Sequence, residues 1–216
     1  DVIPHLPALF LIFGALAAGY ASPGPTMLAV MGTALGRGRG PGVLLGLGVA
    51  LGTGLWAGVS VTLLGPLLPM DGLAVEWLRI GAAVFLAFLA LVSFRSAITG
   101  RDLSLPTIGG TGPSLILRGT LIAATNPKAA VFWLAVAVAA IGPETGWTLV
   151  AVLVAGSLAI SALGHTGYAL AFSSPRIAAA YRDRRRVIQS VLGCVFCVLS
   201  VVVLTGARHR LSLIHI

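Results

Sequence analysis

Two helix-breaking clusters sit inside apolar stretches of this chain, about half the chain length apart: Ala21-Ser22-Pro23-Gly24-Pro25-Thr26 and Thr125-Asn126-Pro127-Lys128. An interrupted helix leaves amides and carbonyls unpaired, and hydrocarbon cannot solvate them. Such a break persists only where it is buried in protein or lines a polar cavity. Paired interruptions in corresponding places of two halves are the sequence pointer to a transporter's binding site. The breaks therefore imply a small secondary transporter.

Composition requires the membrane. Charged residues make up 9% of the chain and apolar ones 57%, against roughly 25% charged in soluble domains. The net charge of +8 does not imply a nucleic-acid partner. The arginines fall in short connections between apolar stretches, as in loops retained on the cytoplasmic side. No cleavable signal peptide is expected, since the apolar stretch from Leu6 to Tyr20 lacks a basic leader. The chain begins at Asp1, and a few residues are expected to precede it. The last six residues, 211–216, match a translated sequencing adaptor, so the tail is expected to end near Arg210. His209 and His215 carry no functional weight.

A span takes roughly 20 mostly apolar residues. Six segments qualify: Leu6–Leu35, Gly42–Leu64, Trp77–Phe94, Ile116–Ile141, Trp147–Phe172 and Val187–Thr205. Turns such as Gly38-Arg39-Gly40-Pro41, Gly65-Pro66 and Gly142-Pro143 separate most of them. The expected fold is an all-α integral membrane protein with six transmembrane helices, in one domain over residues 1–216. The longest connection, Ser96 to Ser114, divides it into halves of about 1–105 and 106–210. Three crossings each make the halves an inverted 3+3 repeat, with helices one and four broken.

Charge sets the expected orientation. Arg37 and Arg39 follow segment one; Arg95, Arg101 and Arg118 lie around the connection after segment three. Arg176, Arg182, Arg184, Arg185 and Arg186 follow segment five. The other connections carry Asp71, Glu76 and Glu144, with only Arg79 nearby. The basic connections are cytoplasmic by this pattern, and both termini extracytoplasmic. Arg208 and Arg210 depart from it.

Pro23 and Pro25 remove backbone donors and open the helix near Ser22, and Gly24 permits close approach. Lys128 is the basic residue deep in a span, and an ammonium there costs about 3 kcal/mol on insertion scales. It can hold a substrate carboxylate, pair with the broken carbonyls opposite, or snorkel to the interface. Asn126 can donate its amide to substrate or repair the gap left by Pro127. His165, near Ser161, Thr166 and Tyr168, can carry a proton or serve as a hydrogen-bonded structural group. The glycines Gly42, Gly46, Gly48, Gly52, Gly54 and Gly58 read as a close-packing face. Cys194 and Cys197 form a C-x-x-C whose plain reading in an apolar helix is packing. No phosphate-cradling loop, metal cluster or nucleophile–base pair is present, so neither an ATP-driven pump nor an enzyme is expected, and no cofactor or metal.

Segment one resembles the signature of the LysE/RhtB amino-acid exporters. Ser22-Pro23-Gly24-Pro25 is followed by Gly36-Arg37-Gly38-Arg39-Gly40-Pro41-Gly42 and a glycine-rich second segment. In the second half, Arg118-Gly119 precedes Thr125-Asn126-Pro127-Lys128-Ala129 and the pair Phe132-Trp133, and Gly193 leads a Leu/Val run. One departure is Thr26, where members often carry Asn; it keeps a hydrogen-bonding group and loses an amide. The resemblance implies an inner-membrane exporter of amino acids or related small metabolites, working by alternating access. A metal-ion exporter or a thiol-redox membrane protein of the same superfamily is the alternative. The expected substrate site comprises Ser22, Pro23, Gly24, Pro25, Thr26, Asn126, Pro127 and Lys128, with His165 for proton coupling. Lys128 would meet the carboxylate, and carbonyls released by Pro23, Pro25 and Pro127 the ammonium. Expected partners are the bilayer, a small-molecule substrate and, as an open option, a second copy in a homodimer; nucleic acid is not expected.

The orientation has a direct check in a background with both native cysteines replaced by serine. A cysteine beside Arg184 is expected to resist an impermeant thiol reagent in intact cells, and one beside Asp71 to react. The opposite labelling pattern overturns the orientation.

Overall fold

The computed structural model describes residues 5–21, 24–64, 72–99, 105–140 and 146–211. Those residues contain helices and connections, with no strand. In chain order the helices are α1 (Leu6–Ala21), α2 (Pro25–Arg37), α3 (Arg39–Val59, extended by a π turn over Ser60–Leu64), α4 (Gly72–Thr99), α5 (Gly112–Ala124), α6 (Pro127–Ala140), α7 (Trp147–Phe172) and α8 (Pro175–Leu211). Four helical stretches are long and apolar enough to cross a membrane: Arg39–Leu63, Ile80–Thr99, Trp147–Phe172 and Pro175–Thr205. The remaining helices form two pairs, α1–α2 and α5–α6. Each pair is one expected span cut in two at an expected break. Both halves of the chain thus run as a broken pair followed by two long helices.

Prolines set several of the starts. Pro25, Pro127 and Pro175 each open a helix, where a missing N–H removes no intrahelical bond and the fixed φ suits the first turn. Between α2 and α3 the chain reverses at Gly38, whose φ of 92° lies in a region that side-chain-bearing residues rarely enter.

The glycine face of α3 is built for contact. At Gly48 an added Cβ would strike the Ile116 carbonyl of α5, and at Gly52 it would lie 2.6 Å from the Ala123 Cβ. From the facing helix, Gly119 admits the Leu45 carbonyl. The Thr120 hydroxyl donates to the Gly48 carbonyl at 3.0 Å across the same crossing. Gly42 packs on Ala34 and Ala169, Gly46 on His165, and Gly54 on Leu158. Gly58 departs from the expectation: it faces open space.

Three further readings change. The expected loop of arginines after segment five is helical. Only Ser173 and Ser174 separate α7 from α8, and Arg176 through Arg186 form the first turns of α8. The expected Ser96–Ser114 linker is shorter, because α4 continues through Thr99. Its described part, residues 105–111, is pinned beneath α2. Ile108 N donates to Thr33 Oγ1 at 3.0 Å, and the Arg37 guanidinium donates to the Ile108 and Gly110 carbonyls, both at 2.8 Å. Cys194 and Cys197 are exposed on α8, so they do not serve core packing. Asp71, Arg101, Glu144, the turns at 65–66 and 142–143, and residues 212–216 lie outside the described residues, as do the side chains of Arg79, Arg208, His209 and Arg210.

Because Gly48 faces backbone that cannot retreat without moving α5, Gly48→Ala is expected to destabilise the fold by about 1–3 kcal/mol. Gly58→Ala is expected to leave stability unchanged. Unfolding of the two variants in mixed micelles checks the difference; equal stability would remove the packing role of Gly48.

Candidate functional site

The end of α1 at the first break exposes carbonyls that have no helical donor ahead of them. Two side chains from the second half of the chain take them. The Lys128 ammonium donates to the Gly19 carbonyl at 2.7 Å, and the Tyr168 hydroxyl donates to the Tyr20 carbonyl at 3.0 Å. A cation is also the favoured charge at a helix C-terminus, where the peptide dipoles leave negative potential. The ammonium lies 5.8 Å from the centroid of the Phe196 ring.

The second break is repaired more locally. Asn126 Oδ1 accepts the Lys128 amide at 3.0 Å, which is the bond an N-cap residue makes to the second helical residue. Pro127 cannot donate to the Ala123 carbonyl, and the Asn126 amide does so instead at 3.2 Å. The Trp56 indole donates to the Ala124 carbonyl at 3.1 Å. Of the two roles open to Asn126, the geometry shows the repair. It also corrects the expected fate of the released carbonyls. Those at Gly19 and Ala123, freed by Pro23 and Pro127, already have protein donors.

Both breaks face one cavity of about 250 Å³. Its polar wall includes Gly24 and Thr26 from α2, Asn126 and Lys128 from the second break, Thr53 from α3 and His165 from α7. Phe132, Trp133 and Phe196 supply aromatic surface. Of the expected site residues, Gly24, Thr26, Asn126, Lys128 and His165 therefore come together. Pro25 and Pro127 are exposed and do not line the cavity; they shape it by setting where α2 and α6 begin. Ser22 and Pro23 lie outside the described residues. At the start of α2 the Leu28 amide bonds the Gly24 carbonyl, so the Thr26 and Met27 amides precede the first intrahelical bond.

A buried polar seam backs the cavity. The Tyr20 hydroxyl donates to Thr53 Oγ1 at 3.3 Å, and Thr53 Oγ1 donates to the Val49 carbonyl at 3.1 Å. Thr53 and Ser161 hydroxyls lie 3.1 Å apart, and with the Thr53 proton committed, Ser161 is the donor. His165 Nδ1 lies 2.9 Å from the Ser161 carbonyl. A carbonyl can only accept, which places the proton of a neutral ring on Nδ1 and a lone pair on Nε2. His165 is fully buried, and Nε2 has no partner among the described residues. The Tyr20 ring meets the imidazole edge-on, with centroids 4.8 Å apart.

Sequence reasoning missed Gly19, Tyr20, Thr53 and Tyr168, which complete the site. Tyr20 borders the first break and Tyr168 follows His165 by three residues, so adjacency was the available signal. Thr53 carried none beyond its place in the glycine face. Among the described residues, no three of His, Cys, Asp and Glu gather as metal ligands, and neither cysteine lines the cavity. The metal and thiol-redox alternatives find no such geometry there.

Comparison with known proteins gives the same picture at family level. A family model described as LysE type translocator matches residues 17–207. The threonine efflux protein of Escherichia coli strain K12 is 28% identical over 187 residues, covering 81% of this chain and 86% of the relative. Its Salmonella typhi counterpart matches at the same identity and coverage. No solved structure matches.

Proposed function

The chain belongs to the LysE type translocator family, and from that premise we propose that it is a six-span, inner-membrane secondary exporter of amino acids, with the cavity between the two breaks as its substrate site. The observation that carries the reading is the meeting of both broken helices at Lys128 and Gly19. A zwitterion brings a carboxylate and an ammonium into a low-dielectric space, and each needs a partner there. Lys128 lines the cavity and brings a positive charge to its wall. The Thr26 and Met27 amides add donors at the positive end of α2, so the carboxylate goes between them and Lys128. With the carbonyls of Gly19 and Ala123 already engaged, the lone pair of His165 Nε2 becomes the acceptor for the ammonium. The same atom accepts a proton in exchange, which makes His165 the candidate for coupling to a proton gradient. A small polar substrate suits the cavity's scale, and the relatives' printed name, threonine efflux protein, makes threonine the first substrate to test.

Alternating access is the mechanism that an inverted repeat would serve, and two features support that reading. The order of broken pair, long helix, long helix recurs in both halves. The tight contacts of α3 with α7 and of α4 with α8 pair equivalent helices across the halves, as a two-fold axis in the membrane plane requires. The cavity runs from the breaks past Leu16, Leu86, Val136 and Val203, toward the side that the charge pattern assigns as extracytoplasmic. On the other side, residues 105–111 are fastened under α2.

Counterflow of labelled threonine in proteoliposomes tests the site. Lys128→Met is expected to abolish exchange in a folded, inserted protein, and Lys128→Arg to retain little, because a planar fork replaces a compact charge. In the same vesicles His165→Gln is expected to lose stimulation by an imposed proton gradient. Undiminished exchange by the methionine variant would remove Lys128 from the substrate site; full gradient stimulation of the glutamine variant would remove His165 from coupling.

A further inference from the structure

A second cavity, of about 270 Å³, lies between α2, the end of α7 and the first turns of α8. Tyr181, Arg182 and Arg185 supply its polar wall; Met31, Leu105, Phe172 and Ala178 supply the rest. Among the described residues no carboxylate lines it. Arg185 is only 7% exposed, although a buried guanidinium without an anion is costly. One of its terminal nitrogens donates to Ser96 Oγ at 3.1 Å, while Arg185 Nε and the Tyr181 hydroxyl have no partner among the described residues. Arg182 is exposed at the same wall. The described wall presents hydrogen-bond donors to the cavity. Two guanidinium forks and a phenol match an oxyanion such as a carboxylate, and the apolar remainder of the wall suits a short aliphatic chain.

The second cavity also stands next to the first. Met27 lines the central cavity and Met31 the second, one helical turn apart on α2. Between the cavities Met27, Met31, Phe172 and Ala178 form one buried cluster, with Tyr168 packed against it. Methionine and aromatic side chains can repack without displacing backbone. Tyr168 is the residue whose hydroxyl holds the Tyr20 carbonyl at the first break, so movement of this partition reaches the substrate site directly.

We propose that Tyr181, Arg182 and Arg185 form a cytoplasmic vestibule that captures the substrate's carboxylate before the Met27–Met31–Phe172 partition opens to the central cavity. The inference rests on the export reading above and on its orientation. The basic turns of α8 then do more than hold a loop on one side of the membrane: they raise the local concentration of the anionic end of the substrate and present it at the closed gate.

Initial threonine fluxes into inverted vesicles, which present the cytoplasmic face, and into right-side-out vesicles test the proposal. Arg185→Gln and Arg182→Gln are expected to raise KM at the cytoplasmic face by about tenfold with the plateau rate from that face kept within about twofold; from the other face KM is unchanged and the plateau rate carries the matching loss in Vmax/KM that detailed balance requires. Tyr181→Phe, which removes one hydroxyl from an otherwise intact wall, is expected to raise the same KM by a smaller factor. An unchanged KM for these variants, or an equal rise at both faces, overturns the proposal. A phospholipid phosphate offers the same oxyanion chemistry. If transport by the unmodified chain depends on phosphatidylglycerol, and the arginine variants lose that dependence without a change in KM, the site takes lipid and the proposal is overturned. If the unmodified chain moves no threonine at all, the export reading fails separately. Protection of Arg182 and Arg185 from phenylglyoxal by acetate then reports on the anion site alone: protection supports it, and equal modification overturns it.

Discussion

The bond from the Lys128 ammonium to the Gly19 carbonyl ties the second break of this chain to the first. Each break, taken alone, is a liability in hydrocarbon, where an unsatisfied backbone group costs several kcal/mol. Placed against the first, the second break supplies donors that α1 lacks, while Asn126 caps the second locally. The end of α1 needs donors, and the start of α6 brings a lysine whose own charge needs a negative partner. Neither half of the chain can satisfy its interruption in this way without the other, so the broken helices determine how the halves dock.

The remaining structure serves that meeting. The α3 glycines let α5 approach closely enough for backbone to touch backbone, which sets the break after α5 at the depth of the first. Gly46 leaves room for His165, whose Cβ and backbone carbonyl would otherwise meet a side chain from α3. The Tyr20–Thr53–Ser161–His165 seam fixes the orientation of each polar group, so the lone pair at Nε2 follows from a chain of committed protons. The hydroxyls of this seam hold their geometry, since a misplaced member would leave a buried group unpaired.

How much of this the sequence revealed depended on range. Pro25, Pro127 and their neighbours announced the breaks, because proline and glycine act locally and hydrocarbon permits few alternatives. The segment Trp147–Phe172 coincides with α7, whose apolar run is uninterrupted. Asn126 as a cap was readable as one of two roles. The partner of Lys128 was not readable beyond a class: the carbonyls opposite were foreseen, but the choice of Gly19, 109 residues away, is a property of helix docking. The arginines of 176–186 read as a loop in the sequence because charge signals position relative to the membrane, not backbone conformation. They continue α8 as a helix, since arginine is a good helix former and no breaker intervenes. Likewise the Gly/Pro/Thr-rich connection looked like a linker, and its order comes from Arg37 and Thr33 on α2, which no local pattern could indicate.

The central claim is that one substrate molecule occupies the space between the two breaks. The most direct measurement is protection of single cysteines placed at Thr26 and at Ala129, which both line the cavity, in a chain whose native cysteines are replaced by serine. Threonine should slow thiol modification at both positions with the same half-maximal concentration. Protection at one position alone, or at neither while transport persists, would contradict a shared site.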